Sequence, residues 1–131
     1  MKKYSRLYCK LYVDIDINEQ ELSKIIADLI HGKMNGRDVR SDILDTHTNK
    51  NLDFNCQKEN KLRNDFLFYR YFLDVEPAEK NISQNTYIFE IETFLQKLWD
   101  RDIKAVISCE FEEELSRFGG YNYEKRSKKI I

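Results

Sequence analysis

The chain has 131 residues, of which 41% are hydrophobic and 34% are charged, and its net charge is −1. This composition excludes a disordered chain, and the length suits one domain with a hydrophobic core. The charge is unevenly placed, because residues 117–131 hold five basic residues against Glu124 while residues 1–116 are acidic. The sequence therefore predicts one acidic domain over residues 1–122 and a basic, solubilising tail over residues 123–131. An acidic surface repels phosphate backbones and attracts basic proteins.

The N-terminal residues and the cysteines indicate the compartment. The stretch MKKYSRLYCKLY lacks the apolar segment of a signal peptide, and no apolar run is long enough to cross a membrane. The three cysteines, Cys9, Cys56 and Cys109, are widely spaced and form no CxxC motif. Reduced thiols are the simplest account of this pattern, so we expect a cytoplasmic protein.

The first half of the chain predicts a strand, a helix and a weaker strand. Residues 7–17 alternate between apolar and polar side chains, which is typical of a half-buried strand. Asn18 and Glu21 have the spacing of a capping box, and the apolar residues after them keep helical spacing. Residues 38–46 then predict an edge strand, and residues 49–64 predict a long polar loop.

The second half predicts two more strands around a second helix. Residues 66–75 are apolar on both faces, which indicates a central strand, and Pro77 ends it. Ser83 can cap a helix whose apolar residues keep helical spacing up to Trp99. Residues 103–111 then return to the alternation of a strand.

The element order β-α-β-β-α-β suits a ferredoxin-like α+β fold. Right-handed crossovers would place both helices on one face of a four-stranded antiparallel sheet, with the strands in the order 4-1-3-2. The alternative is a more irregular α+β fold with an extra hairpin in residues 46–64. Two helices cover only one face of such a sheet, so the function depends on what covers the other face.

The sequence shows no catalytic motif and no zinc-binding pattern. His31 and His47 are the only histidines, and neither has a cysteine or histidine at ligand spacing. There is no nucleophile elbow, P-loop or dinucleotide-binding motif, so we expect no enzymatic activity, no cofactor and no metal. Cys9 and Cys109 fall on the apolar phases of two neighbouring strands, which predicts buried and unreactive thiols.

Two pairs of carboxylates end the first and third predicted strands. They are Asp14 with Asp16 and Asp74 with Glu76. Because these strands are neighbours in the predicted order, the four carboxylates could cluster and bind a divalent cation. Solvated strand ends are the favoured interpretation.

The predicted open face of the sheet offers aromatic side chains. Tyr8 and Tyr12 on the first strand would lie beside Phe66, Phe68 and Phe72 on the third. RNA-recognition domains of the same topology stack bases on these two strands, so a single-stranded RNA-binding module is the alternative function. Against this alternative, the stretch FLFYRYF lacks the RNP1 pattern, and the nearby carboxylates would repel phosphates.

The segment SCEFEEELSRFGGYN, residues 108–122, concentrates acid directly after the last predicted strand. Phe111 continues the buried phase of that strand and Leu115 can anchor the chain, which leaves the glutamates in solvent. Gly119 and Gly120 then allow a chain reversal. We expect a partner-binding site that combines this acid with the ends of the first and third strands: Glu110, Glu112, Glu113, Glu114, Tyr121, Asp74, Glu76, Tyr8 and Tyr12. The competing interpretation is a solvated strand exit that contacts nothing.

Three stretches together resemble small bacterial immunity proteins of contact-dependent growth inhibition and polymorphic toxin systems. They are FLFYRYFLDVEP, LQKLWDRDIKAV and SCEFEEELSRFGGY, which lie within residues 65–122. The chain departs from these relatives at Ser116, where they have a proline, and its first half matches them only in topology. The resemblance implies a non-catalytic protein that binds and blocks one cognate toxin domain. Many such toxins are basic nucleases, and the binding surfaces of immunity proteins vary, so the resemblance does not identify the toxin.

Overall fold

The computed structural model of the protein describes residues 3–52, 54 and 66–121. Within these residues, two α-helices pack against one antiparallel sheet of six strands. The strands are β1 (Cys9–Asp14), β2 (Lys33–Asn35), β3 (Asp38–Arg40), β4 (Leu44–Lys50), β5 (Tyr71–Pro77) and β6 (Lys104–Ser108), and the helices are α1 (Glu19–Ile30) and α2 (Gln84–Asp100). The predicted α+β class is confirmed, whereas the expected number of four strands is wrong.

The strand order across the sheet is β2-β3-β4-β5-β1-β6. The four strands expected from the sequence correspond to β1, β4, β5 and β6, and they keep the predicted order, with β1 and β5 inside the sheet. β5 pairs with β1, where Leu73 lies opposite Leu11, and with β4, where Val75 lies opposite Thr46. β5 therefore lies inside the sheet, as predicted, and its alternate residues Leu73 and Val75 are fully buried in the core.

The two additional strands form a hairpin before β4. Asn35 pairs with Asp38 across a two-residue turn, in which Gly36 has a φ of +65° that glycine adopts without strain. β3 then ends at a second turn, where the Ser41 hydroxyl oxygen accepts hydrogen bonds from backbone N–H groups two and three residues later. This turn divides the edge strand that was expected over residues 38–46 into β3 and β4, so that expectation is wrong.

Strand boundaries also differ from the predicted ones around the apolar central stretch. Phe66–Phe68 form a 3₁₀ turn, and the strand β5 begins only at Tyr71 and ends at Pro77 as predicted. β4 extends to Lys50, so the polar loop starts after it. Residue 53 and residues 55–65, on which most of the predicted loop and of the alternative hairpin falls, lie outside the described residues.

The end of the chain changes conformation after β6. β6 ends at Ser108 instead of residue 111, and two 3₁₀ turns, Glu112–Glu114 and Ser116–Gly120, follow it. The basic tail predicted over residues 123–131 lies outside the described residues.

Both helices begin at the predicted caps. The Asn18 side-chain oxygen accepts a hydrogen bond from the Glu21 N–H at 2.8 Å, and the Glu21 carboxylate accepts one from the Asn18 N–H at 3.4 Å, which completes a capping box. At α2, the Ser83 hydroxyl oxygen accepts a hydrogen bond from the Thr86 N–H at 3.2 Å. These bonds satisfy N–H groups that have no partner within the helix.

The helices pack on one face of the sheet. Cys9, Leu11 and Val13 of β1 are buried in one core with apolar residues of both helices, namely Leu22, Ile26, Leu29, Ile30, Tyr87, Ile91, Phe94, Leu95, Leu98 and Trp99. The alternate residues of β1 therefore point to the opposite face, which we call the open face. Tyr12 on that face joins a second, smaller apolar cluster.

Candidate functional site

The antiparallel pairing brings two separate acidic segments to one end of the sheet. Lys10 of β1 lies opposite Asp74 of β5 on one side and opposite Ser108 of β6 on the other. Since neighbouring strands are about 4.8 Å apart, the C-terminal ends of β5 and β6 lie roughly 10 Å from each other. We call this region the acidic end, and its carboxylates are Asp74, Glu76, Glu110, Glu112, Glu113 and Glu114. All of them belong to the site predicted from the sequence.

Tyr8 lies between the two acidic segments, as the predicted site requires. Its hydroxyl donates a hydrogen bond to the Asp74 carboxylate, which also accepts one from the Asn49 side chain at 3.1 Å. Burial raises the pKa of Tyr8, and Asp74 raises it further. The hydroxyl therefore remains a hydrogen-bond donor at neutral pH, and it holds Asp74 in a fixed orientation.

Two residues that precede Tyr8 bind the second acidic segment. The Ser5 hydroxyl lies 3.1 and 3.2 Å from the two carboxylate oxygens of Glu110. The Tyr4 hydroxyl donates to the Glu114 carboxylate. No pattern in the sequence signals these contacts, because the paired residues are 105 and 110 positions apart along the chain.

The acidic segment is anchored at two apolar residues, as predicted. Phe111 is fully buried, and its ring centroid lies 5.7 Å from that of Tyr4 and 6.1 Å from that of Tyr87. Leu115 is buried as well. The anchors hold the intervening turn against the core and leave three glutamates of the segment exposed: Glu110, Glu113 and Glu114.

Glu112 does not point into solvent in the way that strand alternation predicts. Its carboxylate accepts a hydrogen bond from the Cys109 N–H at 3.0 Å and lies 3.4 Å from the Tyr121 hydroxyl. The reason is that the chain leaves the strand conformation after Ser108, so the period of two no longer applies. Glu112 thus stabilises the turn, and its exposed neighbours are better placed to contact a partner.

Gly119 and Gly120 reverse the chain, as the sequence predicts. Their φ angles are +74° and +109°, and both residues are buried against β6. The reversal places the Tyr121 ring edge-on to Phe66, with the ring centroids 5.1 Å apart. Burial raises the pKa of Tyr121 and the charge of Glu112 raises it further. Tyr121 therefore borders the acidic end as a neutral, 44% exposed aromatic side chain.

The rest of the predicted aromatic surface packs on itself. We call it the aromatic end of the open face, and its members are Tyr12, Tyr69, Val106, Phe66 and Phe72. Tyr12 is only 8% exposed, because the Phe66 ring packs edge-on against it at 5.0 Å. Tyr12 is thus a packing residue and not the exposed contact that we expected. Phe68 lies in the 3₁₀ turn and not on the strand.

A histidine on the open face lies among carboxylates from three strands. The His47 Nδ1 atom of β4 is 3.0 Å from an Asp38 carboxylate oxygen on β3, and its Nε2 atom is 3.7 Å from Asp45. Asp74 on β5 lies directly opposite His47. Partial burial lowers the pKa of His47, but the hydrogen bond to Asp38 and the three negative charges outweigh it and raise the pKa above 6.5. Strand register alone brings these residues together, so no pattern in the sequence predicts the cluster.

Asp38→Asn is expected to lower the pKa of His47, because it removes the charged acceptor of the imidazole. A pKa raised by folding means that His47 stabilises the fold fully below pH 6.5, and that this contribution is lost as the pH rises through the folded-state pKa. The variant should therefore lose less stability than the parent protein as the pH rises through the pKa of His47. Histidine NMR titration measures the pKa, and Asp42→Asn in the neighbouring turn is the control. Equal His47 titration in both variants would contradict the contact with Asp38.

Asp14 and Asp16 lie away from the acidic end. Asp14 is opposite Lys104 at the start of β6, and its carboxylate accepts a hydrogen bond from the Arg70 N–H at 3.1 Å. Asp16 lies 3.2 Å from the Arg70 guanidinium. The four carboxylates therefore do not form the cluster that was considered as the less favoured interpretation, because antiparallel strands end at opposite ends of a sheet. Among the described residues, no group of three or more His, Cys, Asp or Glu side chains is arranged to hold a metal ion.

The Cys9 thiol has no exposed surface and lies 3.6 Å from the Tyr87 hydroxyl. Burial raises its pKa, and the neighbouring Cys109 raises it further, so Cys9 is a protonated core residue, as predicted. Cys109 is partly buried.

A cleft of about 750 Å³ opens beside the acidic end. Its walls include Leu7, Asp45, Glu76 and Glu79. Arg40 reaches across from β3 and lies 3.6 Å from Asp45 and 2.7 Å from Glu79. Two of the carboxylates around the cleft, Asp45 and Glu79, are thus paired with a cation of the protein itself.

Comparison of the chain with protein-family models, with curated proteins and with solved structures finds no match. In the part of the chain that the structure describes, neither helix has the length and apolar character needed to cross a membrane.

Proposed function

We propose that the protein is a cytoplasmic immunity protein that binds and neutralises a cognate bacterial toxin domain without catalysing a reaction. The observation that carries this proposal is the acidic end, where topology unites two acidic segments that are far apart in sequence. A basic toxin domain, such as a nuclease, is the partner that this surface fits, because charge complementarity accelerates encounter and selects against wrong partners.

Two carboxylates of the acidic end, Asp74 and Glu76, are available to pair with cations of a partner. Among the described residues, neither Asp74 nor Glu76 forms an ion pair. The nearest cation across the register, Lys10, places its ammonium 4.3 Å from the Phe72 ring centre and thus leans toward the aromatic end. Arginine and lysine side chains of a partner would therefore find, in Asp74 and Glu76, two carboxylates that no cation of the described residues pairs with.

The acidic end is also held in place before a partner arrives. Tyr8 orients Asp74, Ser5 binds Glu110, and the buried Phe111 ring fixes the turn between the glutamates. A surface ordered in advance loses less conformational entropy on binding, which favours affinity. Tyr121 at its border supplies an aromatic group of the kind that is frequent in interface centres.

The resemblance to immunity proteins supports the same surface, because residues 65–122 include β5, β6 and the acidic segment. We also propose that β1, β4, β5, β6 and the two helices form a ferredoxin-like core, to which the β2–β3 hairpin adds at one edge. The order β4-β5-β1-β6 and the position of both helices on one face support this assignment. The RNA-binding alternative loses support, because Tyr12 is covered and carboxylates occupy much of the open face.

Glu113→Lys with Glu114→Lys is expected to slow association with the toxin domain about tenfold at low salt and to weaken its salt dependence. Folding stability should change little, because exposed charges contribute little to it. Stopped-flow or surface-binding kinetics measure the association rate. Asp16→Lys with Asp100→Lys is the matched control, since it reverses two charges at the opposite end of the sheet. Equal association rates for the two variants would remove the acidic segment from the interface.

The function itself is tested where a gene directly before this one encodes a large secreted protein with a variable C-terminal domain, which is then the toxin candidate. We expect co-expression to protect cells from the C-terminal domain of that candidate, and the two purified proteins to form a stable complex. Absence of both protection and complex formation would overturn the proposal.

A further inference from the structure

Strand pairing brings two cysteines together where the acidic segment begins. Lys10 of β1 lies opposite Ser108 of β6, and continuing this register by one residue places Cys9 opposite Cys109. Cys9 is fully buried in the core under the helices, and Cys109 is partly buried against the same core. The two side chains therefore lie on the same face of the sheet, although they are far apart in the chain, and both are free thiols.

The backbone of β6 shows which kind of cross-strand pair the cysteines form. β6 is the last strand of the sheet, and the Ala105 carbonyl accepts a hydrogen bond from the Trp99 indole, which lies outside the sheet. The Cys109 N–H also points away from β1, because it donates to the Glu112 carboxylate. In an antiparallel pair, residues whose backbone groups point away from the neighbouring strand occupy non-hydrogen-bonded positions, where the facing Cα atoms are only about 4.5 Å apart.

This arrangement suits a disulfide bond. Disulfides join Cα atoms that are about 4.4–6.8 Å apart, so the sheet can accept the bond without moving its strands. Burial is the largest cause of the raised pKa of Cys9, and a hydrogen bond with the Cys109 thiol is the next. The two sulfur atoms are therefore within reach of each other.

We propose that Cys9 and Cys109 form a redox site, at which a small-molecule disulfide oxidises the two thiols to a disulfide that ties β1 to the start of the acidic segment. Disulfides in a reducing compartment are usually transient, and many sense the redox state. The bond would fix Cys109, the residue directly before Glu110, to a strand inside the sheet. This site goes beyond the proposed toxin binding and does not depend on it.

The reaction proceeds by two thiol–disulfide exchanges. Cys109 reacts first, because it is partly exposed: its thiol loses a proton, its sulfur attacks the small disulfide, and one small thiolate leaves. Cys9 then loses its proton and attacks the Cys109 sulfur, which breaks the mixed disulfide and releases the second small thiolate. The two released thiolates take up the two protons, so the protein loses two electrons and the small disulfide gains them. Because burial keeps Cys9 protonated, the second exchange is the slower one.

Incubation of the full chain with glutathione disulfide, followed by mass spectrometry, tests the proposal. We expect a glutathione adduct on Cys109 first, and then a protein that has lost the adduct and two hydrogen atoms. Trypsin cleaves after lysine and arginine, so the new bond should link peptides 7–10 and 105–117. A bond from Cys56 to either cysteine, an adduct on Cys109 that is never replaced by the link, or no reaction at either cysteine would overturn the proposal.

Two matched variants separate the roles of the thiols. In Cys9→Ser, the adduct on Cys109 should persist, because no second thiol displaces it. In Cys109→Ser, the buried Cys9 should remain unmodified while the protein is folded. Rapid modification of Cys9 in the Cys109→Ser variant would contradict the assigned order of reaction. The peptide map of the parent protein decides the pairing even if a variant folds poorly.

The melting temperature tests whether the bond fits the native sheet. A disulfide that closes a long loop without strain should raise the melting temperature by about 10 °C, and reduction with dithiothreitol should reverse the rise. A linked protein that melts at a lower temperature than the reduced one would mean that the strands must distort to form the bond, which would overturn the proposed geometry. None of these measurements requires a toxin, so their failure would leave the proposed function untouched.

Discussion

Gly120→Ala is expected to lower the free energy of unfolding by about 3 kcal/mol or more. Gly120 has a φ of +109°, which side chains of L-residues rarely adopt, and it lies against β6. An added Cβ atom would overlap the carbonyl oxygen of Ala105 and lie 3.1 Å from the Cα atom of Val106. Both obstacles are backbone atoms of a strand that pairs with β1, so they cannot move without breaking the sheet. Denaturant unfolding measures the loss.

Gly36→Ala separates backbone strain from the clash with β6. Gly36 also has a positive φ, +65°, but a Cβ atom added there meets nothing within 4 Å. The expected cost is therefore only the strain of the turn, about 1 kcal/mol. Similar losses in the two variants would show that the reversal at Gly120 does not pack on β6. The same comparison tests the candidate site, because the chain reversal at Gly120 places Tyr121 against Phe66.

The features predicted correctly from the sequence are those set by neighbouring residues. The capping box needs only Asn18 and Glu21, three positions apart, and its two hydrogen bonds are present. The alternation along β1 and the burial of Phe111 follow from side-chain period and apolarity. The relative order of the four expected strands also agrees, since the sequence of elements leaves few ways to connect them.

The hairpin of β2 and β3 was missed because each strand has three residues, too few for a period to appear. A usable signal was nevertheless present, since Gly36-Arg37 has the Gly-X pattern of a two-residue hairpin turn. The 3₁₀ turn at Phe66–Phe68 is a different case. Its residues are apolar and suit a strand, but they form a turn from which the Phe66 ring packs against Tyr12 on the open face.

The sequence predicts the acidic segments of the candidate site one by one, but not how they are arranged in space. That Asp74 and Glu110 belong to one region depends on which strands are neighbours, and that Tyr4 and Ser5 hold it depends on contacts between distant parts of the chain. The His47 cluster depends on register to the single residue, because a shift by one position would move the imidazole to the helical face.

Phe111→Ala is expected to lower the free energy of unfolding by about 3–5 kcal/mol, the usual range for a buried phenylalanine. The ring is fully buried and contacts Tyr4 and Tyr87, so its removal leaves a cavity between the N-terminal segment, α2 and the acidic segment. Domains of this size are commonly stable by about 5–15 kcal/mol, so the variant should remain folded at least in part. Denaturant unfolding gives the size of the loss.

Phe118→Ala is the matched control, because the Phe118 side chain is 47% exposed and its removal should cost less than about 1 kcal/mol. The residues at which amide exchange accelerates show whether Phe111 anchors the acidic segment or only contributes to the core as a whole. If Phe111 is the anchor, amide hydrogen exchange in the Phe111→Ala variant should accelerate most at Cys109 and Leu115, whose N–H groups donate to Glu112 within the turn. Exchange that accelerates equally in α1 and in the acidic segment would mean that the whole domain loosens together, and that the glutamates are not held in place by this ring.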